Sequence, residues 1–144
     1  MKLTAKATIQ IQKPIAEVFE AIVNPEKMTK YFISHSTGRL EPGQEVHWQF
    51  PEFPEGFPVK TIQVEPNSAL SFVWDEETVV NIALEEQPDS STVIKVTEGE
   101  KEFNEKNAEW AIRNTEGWAN FLACMKAYLE YDVQLRRGAF DFMK

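Results

Sequence analysis

The sequence has a single cysteine, Cys124, among 144 residues. One thiol excludes an intramolecular disulfide framework and a cysteine-rich zinc site. Histidine is nearly as scarce: His35 and His47 are the only two. Their spacing matches no recognisable ligand set, so no metal is expected. Glycine occupies only six positions, with no Gly-rich loop to cradle a phosphate. No apolar run approaches the roughly 18 residues of a membrane-spanning helix. Basic residues are missing where a nucleic-acid surface would need them. Residues 41–100 hold two, Lys60 and Lys95, against thirteen acidic ones, and the whole chain carries a net charge of −8. Such a segment repels phosphate backbones and anionic lipid, so neither nucleic acid nor membrane is an expected partner. The opening Met1–Lys6 leads into alternation and not into an apolar signal core, so the expected location is the cytoplasm.

What is present is a generous apolar supply: ten Phe, four Trp and three Tyr within a 42% hydrophobic composition. A chain of this length forms one domain, residues 1–144, with a core of its own. Leu3, Ala5, Ala7, Ile9 and Ile11 alternate with polar residues and predict a strand with one buried face. Pro14 sits where a helix starts, and Ile15, Val18, Phe19, Ile22 and Val23 follow at helical spacing. Asn24-Pro25 breaks that helix, and a second short one is expected from Pro25 to about Phe32.

From Gly38 the period changes to two. Val46, Trp48 and Phe50 form one alternating set; Ile62 and Val64, then Leu70, Phe72 and Trp74, form others. The stretches 78–85 and 92–97 complete an antiparallel meander of about six strands. Turns are expected at Glu41–Gln44, Pro66-Asn67, Asp75–Glu77 and Gln87–Ser90. Trp118, Phe121, Leu122, Met125, Leu129 and Val133 then recur at three- and four-residue intervals. They predict a long final helix, with Thr115 as a candidate N-cap or a start nearer Asn107, stopping near Arg136-Arg137-Gly138.

Strand, two short helices, six strands and a long helix define an α+β chain. A curved antiparallel sheet would wrap around the C-terminal helix. Pro14–Ile22 resembles the opening helix of the helix-grip superfamily, which includes the START domains and the birch-pollen-allergen-like proteins. Tyr31-Phe32, Gly38–Gly43, Val64–Pro66, Leu70–Trp74, Thr92–Glu98 and Glu116–Trp118 more closely resemble the family named after the activator of the heat-shock-protein-90 ATPase. Tyr31 stands where that pattern commonly has Trp. The resemblance implies the helix-grip fold. It also implies a choice of roles: apolar-ligand binding, co-chaperone action on a heat-shock-protein-90-type ATPase, or cyclase or hydrolase chemistry.

The residues decide among these only through the site. His47 alternates with Val46 and Trp48 and should face outward, with Glu45 on the same side. An enzyme would need one of them turned inward. Cys124 lies in the long helix with no histidine at helical spacing to activate it. Asp75–Glu77, Glu85-Glu86 and the run Glu98, Glu100, Glu102 and Glu105 are expected to be solvated turns or edges. Pro51–Pro58 is either a cover over a cavity mouth or a hairpin whose Phe53 and Phe57 tuck against the sheet. The expected function is binding of an apolar small molecule, lipid- or polyketide-like, between sheet and helix. Trp48, Phe50, Phe72, Trp74, Trp118, Phe121, Leu122 and Met125 would line the pocket, with no catalytic residue and no cofactor. The tail's Phe140, Phe142 and Met143 should pack on the domain itself or across a homodimer interface.

Overall fold

A computed structural model describes residues 1–75 and 78–144; the expected turn at Glu76-Glu77 lies outside the described residues. The chain opens with β1 (Lys2–Ile11), α1 (Ile15–Val23) and α2 (Pro25–Met28). A meander follows: β2 (His35–Ser36), β3 (Glu45–Gln49), β4 (Phe57–Glu65), β5 (Ala69–Asp75), β6 (Thr78–Glu86) and β7 (Thr92–Glu102). Then come the long α3 (Glu105–Tyr131) and a single 3₁₀ turn at Asp141–Met143. The described strands form one curved antiparallel sheet in the order β1-β7-β6-β5-β4-β3-β2. This is the helix-grip architecture: the sheet's inner face wraps α3, and α1 and α2 close one end.

Local chemistry explains the breaks. Pro14 caps α1 in extended geometry, and the Asn24 side chain accepts the Glu26 N–H at 2.9 Å to start α2 with Pro25 at its first position. The turn before β3 places Gly43 at φ +74°, a left-handed conformation that glycine adopts without steric penalty. The alternation of β3 becomes real burial: Val46 and Trp48 point inward, while Glu45 and His47 point outward. Tyr31 is buried; its hydroxyl donates to the Ala21 carbonyl at 2.9 Å, and burial pushes its ionisation well above the ordinary phenol range.

Several expectations need correction. α2 ends at Met28, four residues before Phe32, because single turns take over there. Thr115 does not cap α3; it lies within the helix. The cap is Asn104, whose side chain accepts the Asn107 N–H at 2.8 Å. The helix also ends earlier than Arg136. Asp132 turns left-handed at φ 52°, so Val133 keeps the apolar spacing but not the helix. Most consequentially, β7 runs on through Glu102, and Glu98 is no solvated edge: it is 1% exposed and faces the interior.

Candidate functional site

A cleft of about 240 Å³ opens along α3. The helix supplies Arg113, Asn114, Gly117, Trp118, Asn120, Phe121 and Cys124, which recur at helical spacing along one side. β5 supplies Trp74, the β3–β4 connection supplies Phe50, Glu52 and Phe53, and Phe32 closes the back. The tail beyond α3 returns over the mouth and adds Arg136, Phe140 and Met143. The walls are mainly aromatic. Trp74 and Trp118 lie 5.0 Å apart between ring centroids, Phe32 meets Phe121 edge-on at 4.6 Å, and Phe32 meets Phe50 at 5.1 Å.

Two polar devices hold this shape. Behind the wall, the Glu98 carboxylate accepts four hydrogen bonds, each of 2.9 Å. The Trp74 indole and the Thr78 hydroxyl donate to Oε2, and the Trp118 indole and the Asn114 amide donate to Oε1. Those four donors match the acceptor capacity of a carboxylate, so its burial is offset without a cation among the described residues. One side chain thereby fixes β5, β6 and α3 to β7. At the mouth, Arg136 forms a bidentate pair with Glu52 at 2.7 and 3.0 Å. Its guanidinium lies over Phe50 at 5.2 Å and Phe140 at 5.0 Å. The tail is fastened to the β3–β4 connection at that point.

The eight residues expected to line a pocket divide evenly. Phe50, Trp74, Trp118 and Phe121 border the cleft. Trp48, Phe72, Leu122 and Met125 do not; each is at most 1% exposed, within the sealed core. The β3–β4 connection also divides: Phe53 borders the cleft, while Phe57 begins β4 and stacks on Phe50 at 5.6 Å. In the tail, Phe140 packs inward, but Phe142 is 82% exposed.

Sequence reasoning missed Glu98, Glu52 and Arg136. For Glu98 a signal was present, since Thr92, Ile94 and Val96 share its strand face. Glu45 and His47, the pair that would have furnished acid–base chemistry, stay outside the cleft. Cys124 borders the cleft with its thiol pushed up by burial, so it is a poor nucleophile. No cluster of three or more metal-ligating side chains occurs among the described residues. None of the helices, in the described residues, is long and apolar enough to cross a membrane.

Fold and cleft together define a helix-grip domain with an aromatic recess beside its long helix. The chain belongs to the family of the Activator of Hsp90 ATPase homolog 1-like proteins, whose model matches residues 12–130. Among solved structures, protein SSP2350 from Staphylococcus saprophyticus is 30% identical, with a TM-score of 0.83 over 93% of this chain and 96% of that one. The Aha1 protein of Colwellia psychrerythraea, described as a dimer in solution, is 18% identical with a TM-score of 0.75, covering 90% of this chain and 97% of that one. DynU16, a protein of the dynemicin biosynthetic locus, is 20% identical with a TM-score of 0.78, covering 90% of this chain and 48% of that one. At those identities the last two show the fold alone. No curated protein matches the sequence.

Proposed function

We propose that this domain binds a small, flat, apolar molecule in the cleft beside α3, with Phe50, Trp74, Trp118 and Phe121 as its principal contacts. The observation that carries the reading is the cleft itself: about 240 Å³ bounded mainly by rings whose polar N–H groups are already consumed by Glu98. Pockets for drug-sized ligands measure roughly 300–1,000 Å³. This recess therefore suits a two-ring body better than a sterol or a long acyl chain. Binding is non-covalent on this reading, because the one thiol at the cleft is held protonated and no histidine reaches it. The expected setting is the cytoplasm.

Intrinsic tryptophan fluorescence tests the reading, since Trp74 and Trp118 both border the cleft. A naphthalene-sized apolar probe should quench or shift it at micromolar concentration. Cys124→Phe should abolish the response by filling the space. An unchanged spectrum with every small aromatic probe would remove the support for ligand binding.

A second reading, self-association through the tail, is favoured by one observation: Tyr131 at the end of α3, Leu135 just after it and Phe142 in the 3₁₀ turn are exposed apolar groups. The dimeric Colwellia relative supports it by fold alone. Light scattering on the full chain and on Phe142→Ser checks it, with loss of a dimer expected in the variant.

A further inference from the structure

Two features of the cleft wall are left unexplained by packing within the chain. The first is Gly117. It lies in the interior of α3, where glycine costs roughly 0.5–1 kcal/mol relative to alanine. A Cβ built there would meet no atom within 4 Å. No neighbour demands its absence, and no left-handed backbone requires it. The room that a methyl group would take is the cleft itself.

The second feature is Arg113, one helical turn before Gly117 on the same side. It borders the cleft, is exposed, and has no hydrogen bond or ion pair among the described residues. The other guanidinium at the cleft, Arg136, is already engaged by Glu52. Asn120 likewise has an uncommitted amide. The two indole N–H groups turn away toward Glu98, so Trp74 and Trp118 present carbon surface to the cleft. Charge is thus ordered along the cleft: a buried carboxylate behind its floor and, at its rim, a guanidinium with no partner among the described residues.

We propose that the cleft selects an amphipathic aromatic acid, with its flat body laid on Gly117 and the two indoles and its carboxylate on Arg113. This rests on the ligand-binding reading above and deepens it. An acid that entered head first would bring its charge toward Glu98 in a medium of low dielectric, where like charges repel strongly. Entering body first, it leaves the charge at the rim, where the planar fork of an arginine matches a carboxylate with two parallel hydrogen bonds. Gly117 lets the ring approach the helix backbone, and any side chain there would push it out.

The test is a set of fluorescence titrations of the full chain with naphthoate, neutral naphthamide and cationic naphthylmethylammonium. Naphthoate should bind about tenfold more tightly than the amide, a margin of about 1.4 kcal/mol, and the cation most weakly. Arg113→Gln, at an exposed position, should fold normally and erase that margin by weakening naphthoate more than the amide. Gly117→Ala should weaken all three probes while raising Tm, as expected if the glycine is kept for the ligand and not for the helix. An undiminished margin in Arg113→Gln, a cation preference, or undiminished binding in Gly117→Ala would overturn the proposal. Binding without a charge order defeats only the acid assignment; failure of all three probes with the wild-type chain defeats the ligand-binding reading as well.

Discussion

Two stretches of the same helix face meet the same sheet with opposite results. At Leu122 and Met125, the space between α3 and the sheet is filled, and Trp48 and Phe72 complete a sealed interior. At Gly117, Trp118 and Phe121, the same aromatic chemistry borders an open cleft. Hydrophobicity does not separate the two regions, because both are rich in rings. Fill does. The sealed region places a large side chain at each inward helix position. The open region has a glycine on its wall, borrows its indole N–H groups for Glu98, and is roofed by a tail instead of by the sheet. An interior of this kind is made partly hollow by a few positions, not by a general loosening of the core.

The largest expected effect is at the joint between the two regions. Glu98→Ala would leave two indoles, an amide and a hydroxyl without their acceptor, and should destabilise the chain by about 4 kcal/mol or more. Glu98→Gln keeps the shape but turns an amide N–H₂ toward donors, so an intermediate loss of about 2–3 kcal/mol is expected. Urea unfolding followed by tryptophan emission measures both. A loss below about 1 kcal/mol in Glu98→Ala would mean that the four bonds are not what fixes β5 and α3 to β7.

The next comparison sets the regions against each other directly. Leu122→Ala, in the sealed region, should cost about 3–4 kcal/mol through lost burial and a new cavity, and leave probe binding intact. Cys124→Phe, facing the cleft, should cost less than about 1.5 kcal/mol, because the added ring has open space to enter, yet should abolish probe binding. Met125→Trp would not block the cleft, since Met125 lies fully inside the core; it would overpack it. If Cys124→Phe proves as destabilising as Leu122→Ala, the cleft is packed as tightly as the core, and the contrast fails.

Why the sequence revealed one region better than the other follows from what periodicity reports. Alternation along β1 and β3 identifies which side chains face inward, and those faces hold in the structure; in β4 the expected Ile62 is exposed and Thr61 is buried, beside a register shift. Alternation cannot report whether the facing space is full. Phe121 and Leu122 therefore looked equivalent, although one borders a cleft and the other does not. Glu98 was hidden by charge: its run with Glu100 and Glu102 suggests solvent, while its register with Ile94 and Val96 places it inside. The helix end was hidden because Val133 continues the apolar spacing after Asp132 has already left helical geometry. The tail's fastening depends on a partner 84 residues away, which no local pattern can show.

A smaller effect should appear at the roof. Arg136→Met would leave the Glu52 carboxylate buried without its partner, at a cost of about 2 kcal/mol given the partial solvent access of the arginine. Amide exchange across residues 133–143 should accelerate more than exchange in the helix. Glu52→Gln combined with Arg136→Met should recover part of the stability but not the protection of the tail. Unchanged exchange in Arg136→Met would show that the 3₁₀ turn and the Phe140 contact hold the roof alone.

The smallest effect concerns acid, and it too should separate the regions. The hydrogen bonds from Arg39 hold the Glu20 carboxyl below its ordinary value, against a weaker opposing push from burial. Burial pushes Glu130 upward, but the hydrogen bonds from Lys126 and the Gln12 N–H outweigh it and leave that carboxyl lowered as well. The Ser91 hydroxyl and N–H lower Asp89. A carboxyl lowered in the folded chain adds stability that is fully present above its unfolded value, about 4.5 for a glutamate, and lost as pH falls through its folded value. Stability should therefore decline below about pH 4.5 and hold steady between pH 5 and 7 as far as these groups are concerned. Glu20 is well exposed, so screening limits its share to about 0.5 kcal/mol, and Glu20→Gln should blunt the acid decline by that much. All three groups lie away from the cleft: Glu20 ties α1 to Arg39, Glu130 ties α3 to the end of β1, and Asp89 shapes the β6–β7 turn. Affinity for a neutral aromatic probe should then stay constant down to the pH at which unfolding begins. A parallel fall of neutral-probe affinity and stability from pH 5 would place a titrating group at the cleft and break the separation between its walls and these outer fastenings.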